Sequence, residues 1–366
     1  MTAHWALSLL VAAMVLAGCG GSAAPAAGSS AAKPSASSLA LYEGPDRTRM
    51  LEEGARKEGK LMWYTGLIVD QLAQPLFQAF QKKYPYVQVE YYRGGSPEII
   101  QRVGNEYKVG QHNVDVIDGS DTVAQLKTQG LMGAFTSPGI DQYPQEFRDP
   151  DRMWGGLYST YFVFGYNTKL VPSAQAPKTY ADLLDPRWRG KLSWSTQPTT
   201  GAPMFVGNAL RTMGQQDGME YLRKLAQNSV SSTDASTRAV LDQVIGGEFS
   251  LNLVTALNHA LISKQAGAPV DWVEPSPIYG WFTVMGMAKE PPHPNAALLF
   301  LDFIFSQEGQ QTLANADYAP LRTDVSAKDP ALQPLNRGVK VNFFTSETMV
   351  KEGPMWQKTY RDLFVK

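Results

Sequence analysis

Three short runs of glycine, serine, threonine and aspartate recur in the first third of the chain: Tyr64-Thr65-Gly66, Gly94-Gly95-Ser96 and Asp118-Gly119-Ser120. A fourth, Thr199-Thr200-Gly201, follows near the middle. Glycine lets backbone come close to a ligand. Where a helix starts behind such a run, its first N–H groups lack internal partners and point at whatever lies above them. Neutral donors of this kind suit a carboxylate, phosphonate or phosphate group. Arg93 can add a bidentate clamp beside the second run, or stand as a surface arginine at a strand end. Asp118 leans the other way: aimed at the ligand it would repel an anion and suit an amine, so a zwitterion also fits. Tyr64, Tyr158, Tyr279 and Trp281 offer faces that stack on rings or enclose amines. With 15 Phe, 8 Trp and 16 Tyr in the chain, most aromatic residues must be core.

Composition narrows the chemistry. The 366 residues carry 33 Lys+Arg against 34 Asp+Glu, a net charge of −1, so no overall field draws nucleic acid. One cysteine excludes an internal disulfide framework, and the four histidines form no HExxH or paired CxxC pattern, so a metal centre is not expected. GxGxxG, GxxxxGK[ST] and GxSxG are absent, and no cofactor is indicated. A rival reading is an extracytoplasmic hydrolase that uses Asp118 and Asp121 as a carboxylate pair, recommended only by their closeness.

The elements that must position these residues alternate as βαβ units do. Leu61 to Tyr64, Val87 to Tyr91 and Val114 to Ile117 read as strands, each ending in one of the glycine-bearing runs. Helices are expected from Gln74, from the Gly95-Ser96-Pro97 start with Ser96 as cap, and from Val123 to about Gly130. Ligands of parallel α/β sheets sit outside the strand C-termini, where these loops converge. The stretch from Gly155 to Pro275 has its own strands and helices and reads as a second lobe. Trp281 to Met287 then returns the chain to the first, and an apolar helix capped by Asn295 follows to Ser306. The expectation is an α/β protein of two lobes: residues 58–160 plus 279–325, and residues 161–278. Two connecting strands form a hinge over an interlobe cleft, and residues 326–366 are a C-terminal packing segment.

Trp5 to Ala17 is an apolar run shorter than the ~20 residues of a membrane-spanning helix. It ends in Leu16-Ala17-Gly18-Cys19, which resembles a bacterial lipobox and implies a signal over residues 1–18 and a diacylated Cys19. Met1 to His4 lacks the usual lysine or arginine. Residues 19–40, rich in Gly, Ser, Ala and Pro, read as a flexible tether.

Four stretches resemble the extracellular solute-binding proteins of bacterial ABC importers, in the type II periplasmic-binding-protein class that includes ferric-iron, 2-aminoethylphosphonate, thiamine and polyamine binders. They are Gln74-Pro75-Leu76-Phe77-Gln78-Ala79-Phe80 followed by Gly94-Gly95-Ser96, then Gly165-Tyr166-Asn167-Thr168, then Thr179-Tyr180-Ala181-Asp182-Leu183-Leu184-Asp185-Pro186-Arg187-Trp188-Arg189-Gly190-Lys191, and Phe303-Ile304-Phe305-Ser306-Gln307-Glu308-Gly309-Gln310-Gln311. The resemblance implies a two-lobed, extracytoplasmic, lipid-anchored receptor, not an enzyme. It closes on a small solute and delivers it to a permease in the inner membrane, with no nucleic-acid partner and as a monomer. Ferric-iron members bind metal through consecutive tyrosines; here the matching segment, Leu253 to His259, holds Leu257 and Asn258 at those positions. Neither supplies the anionic oxygen a hard cation needs, so bare iron is disfavoured. Iron held by other ligands and a sensor subunit remain alternatives. Tyr64, Thr65, Arg93, Gly95, Ser96, Asp118, Ser120, Tyr158, Thr199, Thr200, Gly201, Asn258, Tyr279 and Trp281 are the candidate ligand contacts.

Overall fold

Gly59, at φ +70°, ends helix α1 (Arg47–Glu58) in the left-handed conformation glycine adopts without strain, and turns the chain into strand β1 (Lys60–Thr65). The structure, a computed structural model, describes residues 39–198 and 200–365. The expected signal, Cys19, the tether through residue 38, and Thr199 lie outside the described residues. Leu39 and Ala40, expected to close the tether, are buried, and the Arg47 guanidinium donates to the Leu39 carbonyl at 2.7 Å. The packed chain therefore begins before residue 41. Helix α1 puts Leu51 and Ala55 into the first core, ahead of the expected boundary at residue 58.

After β1 come α2 (Gln74–Lys83), β2 (Gln88–Arg93), α3 (Ser96–Lys108), β3 (Val116–Asp118) and α4 (Ser120–Thr128). Strands β2, β1 and β3 are parallel neighbours, so all three end on one edge. The second parallel array is β6 (Leu192–Ser195), β7 (Ser231–Thr233) and β8 (Leu251–Ala256). Helices α5 (Ala202–Met213), α6 (Gln215–Ala226), α7 (Thr237–Gly246) and α8 (Leu257–Gln265) belong to it.

Two long antiparallel strands, β5 (Gly155–Asn167) and β10 (Ile278–Ala288), join the arrays in one 11-stranded sheet ordered β2-β1-β3-β10-β5-β8-β6-β7. Short strands β4 (Met132–Gly133) and β11 (Val341–Phe344) add to β10, and β9 (Val270–Val273) adds to β5. Register fixes the geometry. Asp118 ends β3 opposite Met285, and Ala256 ends β8 opposite Phe162. The C-terminal ends of both arrays therefore point toward the middle of the β5–β10 ribbon from opposite directions.

Each end of the ribbon has its own core. Leu157, Phe282 and Val284 join the first, with Trp63, Phe80 and Phe300; the Trp63 and Phe80 rings lie 5.4 and 5.0 Å from Phe300. Phe162, Phe164 and Tyr279 join the second, with Trp194, Phe205 and Trp356. After α9 (Pro294–Ile304) and α10 (Gln307–Asn315), the C-terminal segment resolves into β11 and α11 (Ser346–Phe364), whose Trp356 and Tyr360 complete the second core. Asn295 does not cap α9. The helix starts one residue earlier, and Glu58 of α1 accepts from the Asn295 and Ala296 N–H groups at 3.1 and 2.7 Å.

Candidate functional site

Within β5 and β10 all residues are buried except Tyr158, Thr160 and Trp281. Thr160 lies opposite Trp281, and Tyr158 is two residues along, so strand alternation puts all three on one face, midway between the cores. This face is the floor of a cleft toward which both sets of strand ends point. The Tyr158 ring meets Tyr318 edge to face at 4.8 Å, and Thr283 is its cross-strand partner. Burial pushes both phenols well up from their ordinary range, so they stay protonated donors.

On the first lobe the three expected loops converge. A side chain at Gly66 would lie 3.8 Å from the Gly94 carbonyl and 3.9 Å from Asp118 Oδ1, and one at Gly119 would reach Ser96 Oγ at 4.0 Å. Most of the polar side chains predicted here are already engaged. Asp118 is buried and accepts from Trp63 Nε1 at 2.8 Å and from the Gly66 N–H at 3.2 Å. Burial raises its carboxyl to about 6, against the lowering effect of the Thr65, Gly66 and Trp63 donors. It is buried and tied to Trp63 and Gly66, with its charge felt by the Tyr158 phenol, so it forms no exposed carboxylate pair with Asp121. Ser120 donates to the Phe282 carbonyl at 2.5 Å. Thr65 is buried and accepts from the Leu67 N–H. Arg93 donates through Nε to the Leu67 carbonyl at 2.9 Å, bracing the same loop. Gly95 rather than Ser96 is the α3 cap position; Ser96 opens the helix and accepts from Thr122 Oγ1 at 2.9 Å.

Two aromatic expectations fail. Tyr64 is buried under α3, donates to Glu106 at 2.8 Å and accepts from Arg102 at 3.0 Å, because it occupies the side of β1 opposite Trp63. Tyr279 is buried between Phe162 and Phe344, with ring centroids 5.2 and 5.7 Å away. It shares the floor's face but lies one strand position too deep in the second core. Thr160, Thr283, Thr122 and Tyr318 went unnoticed in the sequence. Thr283 carried a signal, as the one threonine in an otherwise apolar strand, whereas Thr160 stands beside Ser159.

The second lobe contributes the turn between β6 and α5. Gly201 is required there, because a side chain would lie 2.4 Å from the Ser195 carbonyl. The Thr200 carbonyl is held by Thr237 Oγ1 at 3.0 Å. Asn258, in the first turn of α8, is buried with Oδ1 unpartnered among the described residues. Next to it, burial and then Arg238 push His259 down to about 4, so its ring is neutral at pH 7. Among the described residues no three His, Cys, Asp or Glu side chains cluster as metal ligands.

Helices α3, α4, α5 and α8 all start at strand ends facing the ribbon, and none is capped by its own N-cap side chain. Helices α1, α2, α6 and α9 likewise lack a cap from their own N-cap side chain, whereas α7, α10 and α11 are capped by Ser236, Ser306 and Thr345. Two lobes on a two-strand connection, with open helix starts gathered around a shared cleft, define a solute receptor.

The chain belongs to the bacterial extracellular solute-binding proteins, whose family model matches residues 111–351. It is 25% identical over 320 residues to a putative 2-aminoethylphosphonate-binding periplasmic protein of Salmonella paratyphi A, covering 84% of this chain and 85% of that one. Its fold matches the periplasmic binding protein AfuA of Actinobacillus pleuropneumoniae, solved with fructose-6-phosphate, at a TM-score of 0.69 and 22% identity over 84% and 99% of the two chains. Iron-bound HitA of Pseudomonas aeruginosa matches at 0.69 and 23% identity over 83% and 99%. The protein is thus a type II periplasmic-binding-protein fold whose function is capture of a solute for ABC import, and its relatives are binding proteins rather than enzymes.

Proposed function

We propose that the solute is a small organic anion whose phosphonate, phosphate or carboxylate group is held by the open helix starts, chiefly that of α5. The observation that carries this reading is the gathering of four uncapped helix N-termini at one cleft. The named ligands of two relatives, 2-aminoethylphosphonate and fructose-6-phosphate, both join a phosphorus oxyanion to an organic body. Iron has less support: Leu257, the Asn258 amide and the neutral His259 offer no hard anionic oxygen. The ribbon acts as a hinge, and a solute that touches both walls only when they meet favours the closed form. Cys19 anchors the receptor by lipid outside the cytoplasm, and the monomer passes its solute unchanged to a permease.

Calorimetry with inorganic phosphate and 2-aminoethylphosphonate tests this. Gly201→Ala, which forces the β6–α5 turn apart, is expected to weaken both at least tenfold while circular dichroism is unchanged. Equal affinity in a folded variant removes the α5 start from the site. Small-angle scattering should show compaction on binding.

A further inference from the structure

The hinge has a back as well as a floor. Tyr158, Thr160 and Trp281 face the cleft; Phe282, next along β10, and Phe343 of β11, opposite Gly280, face the other way. Phe147, from the helical turn Gln145–Phe147 of the first lobe, meets both: its ring centroid lies 5.0 Å from Phe282 and 5.4 Å from Phe343, each edge to face. Two glycines of the ribbon make room for these rings. A side chain at Gly156 would lie 3.1 Å from Phe147 Cβ, and one at Gly280 would lie 3.3 Å from the Phe343 ring.

Phe147 belongs to the first core, whereas the residue after Phe343, Phe344, belongs to the second with Trp356 of α11. The Phe147–Phe343 contact therefore ties lobe to lobe behind the ribbon. Little else does so there. The starts of α4 and α11 flank a gap at Ser120 and Thr345 that widens into a groove of about 1150 Å³, with Gln125 and Trp154 on one side and Glu347 and Val350 on the other. Among the described residues no hydrogen bond or ion pair crosses it; Lys127 pairs with Asp149 and Asp151 of its own lobe, at 2.6 and 2.8 Å.

Bending the ribbon toward the cleft shortens the face that holds Tyr158 and Trp281 and lengthens the opposite one, so closure draws Phe343 away from Phe147. Loss of an edge-to-face aromatic pair shifts such an equilibrium by about two- to tenfold. A receptor whose binding-competent form is scarce binds more weakly by that fraction, so a contact that opposes closure lowers affinity without touching the solute. We propose that β11 is a brake on closure: through Phe343 on Phe147 it holds the lobes open, and so sets solute affinity from behind the hinge. The brake needs the hinge of the proposed function, whatever the chemistry of the solute.

The test compares wild type with Phe343→Leu and Phe147→Leu, which break the contact from either side, and with Val350→Ala across the groove as a control. A nitroxide label at Gln71→Cys, exposed on the first wall, in a Cys19→Ser background, broadens the amide signals of Thr200 and Gly201 in proportion to the closed population of the free protein. Calorimetry with inorganic phosphate and 2-aminoethylphosphonate accompanies it. Both leucine variants are expected to raise the broadening about two- to tenfold, with Val350→Ala unchanged, and to tighten whichever probe binds wild type by the same factor. Equal or weaker broadening in a folded leucine variant, the same rise in Val350→Ala, or equal or weaker binding of a probe that wild type holds, overturns the brake. Stronger broadening in the leucine variants of a protein that binds neither probe leaves the brake standing and overturns anion capture instead.

Discussion

The two walls of the cleft use similar residues for different ends. On the first lobe, Thr65, Ser96, Asp118 and Ser120 sit at strand ends as a binding site would want, yet each is tied to a neighbour by a hydrogen bond. On the second, the Asn258 Oδ1 has no partner among the described residues and the α5 N-cap, Gly201, makes no side-chain cap. A buried polar group already paired costs nothing to leave alone, whereas an unpaired one favours whatever ligand completes it. Under the proposed function the first wall serves rigidity and the second affinity, so substitutions on the two should read out differently.

The largest effect belongs to the rigid wall. Trp63→Ala opens a cavity beside Phe300 and strips Asp118 of a donor, and is expected to cost about 3–5 kcal/mol in denaturant unfolding. A loss under about 1 kcal/mol would show that this wall is not held by Trp63.

The next concerns protons. Asp118 has a folded-state carboxyl raised to about 6 from an ordinary value near 4, so the folded protein binds this proton more tightly than the unfolded chain. Its contribution to stability is full below about pH 4 and disappears as pH rises through about 6, an expected loss of about 2–3 kcal/mol. His259, lowered to about 4, works oppositely over pH 6.5 to 4. Asp118→Asn removes only the first effect. The difference in stability between wild type and variant should therefore change across pH 4–6, and a constant difference would contradict the assignment.

Smaller effects sharpen the contrast. Ser120→Ala leaves the Phe282 carbonyl short of a donor and should cost about 1 kcal/mol of stability, with phosphate affinity within twofold. Asn258→Leu removes an unpartnered buried amide oxygen, so stability should rise by up to about 1 kcal/mol while affinity falls roughly tenfold. If the two variants change stability and affinity in the same sense, the division between the walls fails.

Local patterns were enough to place much of this molecule. The apolar runs ending in glycine marked β1, β2 and β3, and a parallel array brings such ends to one edge wherever it forms. The reciprocal bonds between Thr179 and Asp182, at 3.3 and 2.9 Å, follow from residue spacing alone. So does the turn at Gly201, where no other side chain fits. Only the tertiary structure decided which polar groups remained free. Tyr64 and Tyr279 look as suitable for a ligand as Tyr158. Strand alternation turns one toward α3, and one extra step along the ribbon buries the other beneath Phe344. Asp118 and Ser120 were used up by partners distant in sequence, Trp63 and Phe282, and no local pattern encodes those contacts. Residue type states what a side chain can bond; its long-range neighbours settle whether that capacity is still available.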